Sequence, residues 1–191
     1  MTDVFPYPQN PRVLLLPGWL NSDAAHWQSR WEALHGYTRV EQDDWTWPRR
    51  GDWMARLDEV IQQQDAPVVL VAHSLGCQLV AAWAAHSQHT ARVVAALLVA
   101  PPDTEREDMP PNLFNWRPMV RSKLPFASRV LASSDDPYCA LERAEGLARD
   151  WGSSFENIGV CGHINGDSGL GDWTEGQTRL VQWSARLGRE V

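Results

Sequence analysis

The chain has 191 residues, 43% hydrophobic and 21% charged. That length suits a single domain spanning residues 1–191 with one sizeable core, and the composition excludes a disordered chain. The formal net charge of −7 argues against nucleic-acid binding, which calls for clustered Lys and Arg; the sparse set Arg117, Arg121, Lys123 and Arg129 reads as a solvated face.

The predicted elements alternate short apolar runs with longer amphipathic ones. Residues 1–8 carry no basic, apolar leader pattern, and no segment approaches the apolar length of a membrane span. Residues 12–17 (RVLLLP) read as a buried strand ended by Pro-Gly. Asn21, Ser22 and Asp23 offer N-caps for a helix with Trp27, Trp31 and Leu34 on one face. Residues 38–41 form a weaker strand, and Asp52 can cap a helix that turns Trp53, Leu57, Val60 and Ile61 to one side. Residues 67–72 (PVVLVA) are a second buried strand, followed at 75–85 by a segment apolar almost all round, as in a helix at the centre of a domain. Further strands are predicted at 93–100, 128–132 and 155–159, with an amphipathic helix through Leu141, Ala144, Leu147, Ala148 and Trp151 between the last two. Thr174-Glu175-Gly176-Gln177 has the pattern of a capping box and opens a final helix containing Leu180 and Trp183. The order predicts a three-layer α/β/α sandwich with a mostly parallel sheet, whose site belongs at the carboxyl ends of the strands. The connection 101–125, rich in proline but containing Leu113, Phe114, Trp116 and Met119, is either a lid or a disordered or merely decorative loop.

The three cysteines, Cys77, Cys139 and Cys161, are odd in number and lack C-x-x-C spacing. They fit reduced thiols in a cytoplasmic protein, and neither a disulfide framework nor a zinc site is expected. Eleven tryptophans are many for this length: Trp27, Trp31 and Trp53 fall at core spacing, whereas Trp19, Trp45, Trp47 and Trp116 sit in predicted loops.

Ala72-His73-Ser74-Leu75-Gly76 lies between the 67–72 strand and the 75–85 helix. A small-x-Ser-x-Gly turn in that setting is the pattern of a nucleophile elbow, with Ala72 in place of the first glycine. A serine hydroxyl needs a base to take its proton. His73 adjoins it, but neighbouring side chains diverge at a sharp turn, so His73 is expected to pack or hydrogen-bond beneath the elbow. His163, between Gly162 and the Ile164-Asn165-Gly166 stretch, follows the 155–159 strand and is the expected base. His26, His35, His86 and His89 read as surface or capping residues. The carboxylate that orients the base follows the 128–132 strand; both Asp135 and Asp136 are candidates, and the Asp-Pro turn favours Asp136. The order Ser74, Asp136, His163 is that of α/β hydrolases. An oxyanion hole is expected from the backbone N–H groups of Leu75, after the serine, and Trp19, after Pro17-Gly18.

These residues and their surroundings resemble the small serine hydrolases grouped with YdeN and retinoblastoma-binding protein nine. The matching segments are LLLPGWLNSDAAHWQSRW (14–31), VEQDDWTWP (40–48), LVAHSLGC (70–77), SSDDPY (133–138) and GHINGDSGLGDW (162–173). The resemblance implies a minimal α/β-hydrolase fold, a triad of Ser74, Asp136 and His163, and no metal or organic cofactor. Part of the family is named for binding the retinoblastoma protein through L-x-C-x-E. No such motif surrounds any of the three cysteines, so that partner is not carried over. The expected function is hydrolysis of a small-molecule carboxylic ester, or thioester, through an acyl-enzyme. Two alternatives stand beside it: an amide or peptide hydrolase on the same fold, and a non-catalytic binding protein on that fold.

Overall fold

A computed structural model describes residues 11–63 and 65–187, the last two by their backbone alone; the stretch 1–8 lies outside the described residues. Six strands, β1 (Arg12–Leu16), β2 (Thr38–Arg39), β3 (Val68–His73), β4 (Val93–Val99), β5 (Ala127–Ala132) and β6 (Ser154–Asn157), form one sheet in the order β2-β1-β3-β4-β5-β6. Every pairing is parallel. The helices are α1 (Trp27–His35), α2 (Arg50–Gln62), α3 (Leu75–Ala84), α4 (Leu141–Trp151) and α5 (Thr174–Leu187). The architecture is the minimal α/β-hydrolase fold anticipated from the alternation of elements.

Side chains alternate between the two faces of the sheet, as the period of two in a strand requires. Leu14, Leu16, Leu70, Ala72, Ala96, Leu98 and Val130 pack on one side with α2, α3 and α4. Val13, Leu15, Val69, Val71, Ala95, Leu97, Val99 and Leu131 pack on the other with Trp27 and Trp31 of α1 and Leu180 and Trp183 of α5. With both faces covered, the central strands must be apolar at every position, which is why they read as continuous runs. Leu16, Ala72, Leu98 and Val130 stand in successive registers across the sheet.

Several expectations need correction. Leu34 is 57% exposed. The buried stripe of α1 runs through Trp27, Gln28 and Trp31 and is continued by His35 stacking on Tyr37 at 5.2 Å. The N-cap of α1 is His26, whose ring accepts the Gln28 N–H; Asp23 instead accepts the N–H groups of Ala25 and His26 in the preceding turn. Helix α2 begins at Arg50, two residues before Asp52, which lies in its first turn. Thr174 is the first residue inside α5, and Gln177 donates its side-chain amide to the Tyr37 hydroxyl at 2.7 Å, so the expected capping box does not describe this end.

The connection 101–125 is neither loose nor ornamental. Met109, Leu113, Trp116, Met119 and Leu124 are buried in the core beside α2 and α3, and the Trp116 indole donates to the carbonyl of Pro48 at 2.9 Å. A 3₁₀ helix, Pro111–Trp116, organises its centre. Trp116, placed in a loop by sequence, is thereby a core residue, whereas Trp47 is 55% exposed. Arg121 of the sparse basic set bridges Glu105 and Asp150 at 2.9 Å each, and Arg129 pairs with Glu156. No helix among the described residues is long and apolar enough to cross a membrane.

Candidate active site

Ser74 stands between the end of β3 and the first turn of α3 with φ 52° and ψ −125°. A serine at positive φ is strained, and the surrounding packing holds it there. The Ser74 N–H donates to the carbonyl of Val99 at 2.9 Å. The turn is tight because strand and helix nearly touch: a Cβ on Gly76 would lie 2.2 Å from the Leu16 carbonyl oxygen, so only glycine fits. Ala72, in the position usually taken by glycine, is fully buried in the sheet.

The loop after β6 brings His163 across to Ser74. His163 Nε2 lies 2.9 Å from Ser74 Oγ. His163 Nδ1 lies 3.0 and 2.9 Å from the two carboxylate oxygens of Asp136. An ionised carboxylate only accepts, so Nδ1 carries the ring proton and Nε2 is left to accept the serine O–H. His163 and Asp136 are nearly closed off from solvent, with side chains 9% and 3% exposed. The ring of Tyr138 packs edge-on against His163 at 4.6 Å.

The two aspartates weighed in the sequence hold different things. Asp136 meets the imidazole. Asp135 Oδ1 accepts the N–H groups of Cys161 and Gly162 at 3.0 and 2.8 Å and the Ser133 hydroxyl at 2.6 Å. These bonds, led by the one from Ser133, lower the Asp135 pKa. Asp135 therefore pins the loop that carries the histidine. Sequence order identified its place after β5 but not this division of labour.

Gly18 rests directly on the serine turn: a Cβ there would lie 2.7 Å from Ser74 Cβ and 3.2 Å from the Leu75 nitrogen. Trp19, which follows Gly18, and Leu75 both line the cavity above Ser74. Among the described residues, no hydrogen bond within the chain uses either of their N–H groups. Leu75 opens α3, where the helix dipole adds to the pull on a negative oxygen. Above Ser74 is a cavity of about 480 Å³. The 101–125 connection lines it with Met109, Pro110 and Leu113 and also with Arg106 and Asp108, and Asp23, Asn165 and Asp167 add further polar lining. No group of three or more His, Cys, Asp or Glu placed to hold a metal ion occurs among the described residues.

His73 is buried beneath the turn, as expected, and His26 caps α1, one of the two roles expected for it, but from a buried position and not from the surface. It is 4% exposed, and its ring meets that of His73 edge-on at 4.6 Å. Sequence pattern gave no signal for this pair, because the two residues are 47 positions apart.

The fold and this constellation define an α/β hydrolase. The chain belongs to the serine hydrolase family, whose profile matches residues 13–182. A YdeN-like protein from Pectobacterium atrosepticum, assigned as a hydrolase, is 29% identical over 92% of this chain and 91% of its own, with a TM-score of 0.81. The ydeN gene product of B. subtilis is 19% identical over 91% of this chain and 98% of its own, with a TM-score of 0.68. A monoacylglycerol lipase from Paleococcus ferrophilus shares the fold at 12% identity, 96% and 97% coverage and a TM-score of 0.68. Among curated proteins no sequence matches.

Proposed function

We propose that this hydrolase cleaves a carboxylic ester by acyl transfer through Ser74, with His163 as general base and then general acid and Asp136 as its orienting carboxylate. The observation that carries the reading is the continuous contact from Ser74 Oγ to His163 Nε2 at 2.9 Å and from His163 Nδ1 to Asp136 at 2.9 Å.

Ser74 Oγ attacks the ester carbonyl while its proton passes to His163 Nε2. The carbonyl becomes an oxyanion received by the N–H groups of Leu75 and Trp19. Collapse breaks the bond to the alcohol oxygen, and His163 returns the proton to that oxygen. Water then attacks the acyl-serine with His163 again as base, which releases the acid and restores the serine. Asp136 keeps the ring in one tautomer and stabilises the imidazolium formed at each step. The apolar wall of Met109, Pro110 and Leu113 suits an uncharged acyl group. A thioester would follow the same steps with a thiol as leaving group.

Labelling by a fluorophosphonate and a panel of p-nitrophenyl esters against aminoacyl-anilides tests this reading. Ester turnover with labelling at Ser74 is expected, and Ser74→Ala and His163→Ala should each lower kcat on the order of 10⁴-fold. Faster turnover of the anilides would replace the ester reading with an amide hydrolase. A folded protein that neither labels nor turns over any substrate would leave a binding protein on a hydrolase fold.

A further inference from the structure

Two buried imidazoles outside the proposed chemistry, those of His26 and His73, reach the residue that performs it. His73 Nε2 lies 2.9 Å from the main-chain carbonyl oxygen of His163. A carbonyl only accepts, so His73 donates from Nε2 and its Nδ1 is bare. That Nδ1 lies 3.3 Å from His26 Nε2, so His26 donates from Nε2. His26 Nδ1 then accepts the N–H of Gln28 at 3.1 Å. Each bond sets the tautomer of the next ring, in the sequence Gln28 N–H, His26, His73, His163 carbonyl. The series is complete only while both rings are neutral. Burial, above all, holds them so: His26 is pushed down to about 4, and His73, with a second contribution from His26 itself, well below the ordinary histidine value.

The bonded carbonyl sits at a demanding place. The next residue, Ile164, has φ 50°, a conformation a β-branched side chain resists. The neighbouring anchors are on either side: Gly162 N–H to Asp135 at 2.8 Å, and the Trp27 indole to the Ile164 carbonyl at 2.7 Å. Between them, the peptide group that His163 contributes to the next residue is held at both ends: the Ile164 N–H donates to the Cys161 carbonyl at 3.1 Å, and the His73 bond holds the carbonyl oxygen. If that peptide turned, the His163 Cα would shift against Ser74 and Asp136.

We propose that His26 and His73 are positioning residues, two neutral imidazoles in series that hold the His163 carbonyl and thereby keep the His163 ring between Ser74 and Asp136. The proposal rests on the reading of those three residues as the catalytic set. It gives a task to the histidine inside the Ser74 turn, and it adds a second link between α1 and the loop of the base, beside the Trp27 indole bond to the Ile164 carbonyl.

Four variants separate positioning from filling of space. His73→Gln keeps an N–H donor within reach of the carbonyl, and His73→Leu fills the volume without one. His26→Gln and His26→Phe make the same contrast one step back. Each is measured for ester kcat and KM, for thermal unfolding, and for the downfield NMR resonance of the His163 Nδ1 proton. His73→Leu is expected to lower kcat about tenfold to a hundredfold with KM roughly unchanged, the size of effect that misplacing a reacting group produces. The Nδ1 resonance should shift or broaden in His73→Leu, and His73→Gln should recover most of both signals. His26→Phe should act in the same direction, more weakly, and it carries the test if His73→Leu does not fold. The proposal is overturned if the folded Leu and Phe variants keep the wild-type kcat and resonance, or if Gln does no better than Leu and Phe, since packing alone would then suffice. Should the wild type turn over no ester and resist the fluorophosphonate, the enzymatic reading fails by itself. The resonance in the same variants still decides whether the His163 ring is held this way.

Discussion

Gly18 and Ser74 approach so closely that a Cβ on the glycine would lie 2.7 Å from the Cβ of the serine. The same added carbon would stand 3.2 Å from the Leu75 nitrogen, in the space where an oxyanion is proposed to sit. Gly18→Ala is therefore expected to act on activity before stability. It should lower kcat/KM by about a hundredfold or more through displacement of the serine and crowding of the oxyanion. Gly76→Ala forms the contrast, because its carbon would meet the backbone oxygen of Leu16 at 2.2 Å, which cannot swing aside. Overpacking of that kind costs about 1–3 kcal/mol or more, so Gly76→Ala should appear mainly as a lowered Tm. Parallel melting curves and fluorophosphonate labelling rates check the pair; equal loss of Tm in both would contradict the distinction.

Asp135 and Asp136 are adjacent in sequence and separable by substitution. Asp136→Asn places an amide against His163 Nδ1, which favours the wrong ring tautomer, and kcat should fall on the order of 10³- to 10⁴-fold with little change in KM. Asp135→Asn keeps an oxygen able to accept from Cys161 and Gly162 and should retain most activity, whereas Asp135→Ala removes it. The measurable sign in Asp135→Ala is faster hydrogen exchange at the Cys161 and Gly162 amides, accompanied by a smaller fall in kcat than Asp136→Asn gives. A larger fall in Asp135→Asn than in Asp136→Asn would reverse the two roles.

Stability should depend on pH through the buried histidine pair. His26 has its pKa lowered to about 4, first by burial and further by its neighbours His163 and Arg39, against an opposing pull from Asp23. His73 is lowered by burial, His26 and His163. Between pH 6.5 and 4 the unfolded chain binds protons at these sites and the folded chain does not. Stability is then complete above the unfolded value near 6.5 and declines as the pH falls toward 4. A displacement of this size at His26 corresponds to roughly 3 kcal/mol when fully expressed. Urea unfolding at pH 7.5 and 4.5 should show the decline in the wild type and a shallower one in His26→Gln, which has no such titration. Identical slopes in the two proteins would remove His26 as its source.

Much of the fold was legible because the apolar periods are undisturbed: the runs at 12–17, 67–72 and 93–100 contain β1, β3 and β4 almost entire. The approach of Ser74, Asp136 and His163 was legible through their order, each following a strand whose carboxyl end lies on one edge of the sheet. What pattern could not supply was any contact between distant side chains. The burial of His26 depends on His73, 47 residues away, and the fate of Gln177 depends on the Tyr37 hydroxyl, 140 residues away. Leu34 had the right spacing for burial, but α1 ends at Gly36 and Tyr37, just beyond it, is the residue that is buried there. The 101–125 connection misled in a different way. Its prolines signal irregular backbone, and irregular backbone says nothing about whether the side chains between them are buried.

That connection leads to a prediction about substrate length. Met109 and Leu113 reach the cavity from a segment anchored in the core by Trp116 and Met119, which makes them part of a packed apolar wall. Shortening Met109 to Ala should open room for a longer acyl chain without changing the groups around Ser74. Each further methylene taken out of water contributes about 0.8 kcal/mol, close to a fourfold gain in kcat/KM per carbon until the new space is filled. A p-nitrophenyl ester series from acetate to laurate should show the optimum of Met109→Ala displaced to longer chains by about two carbons. The shortest esters should lose little, since they do not reach the altered wall. An unchanged chain-length profile in a folded Met109→Ala protein would mean that the acyl group lies elsewhere, against the polar side formed by Asp23, Asn165 and Asp167.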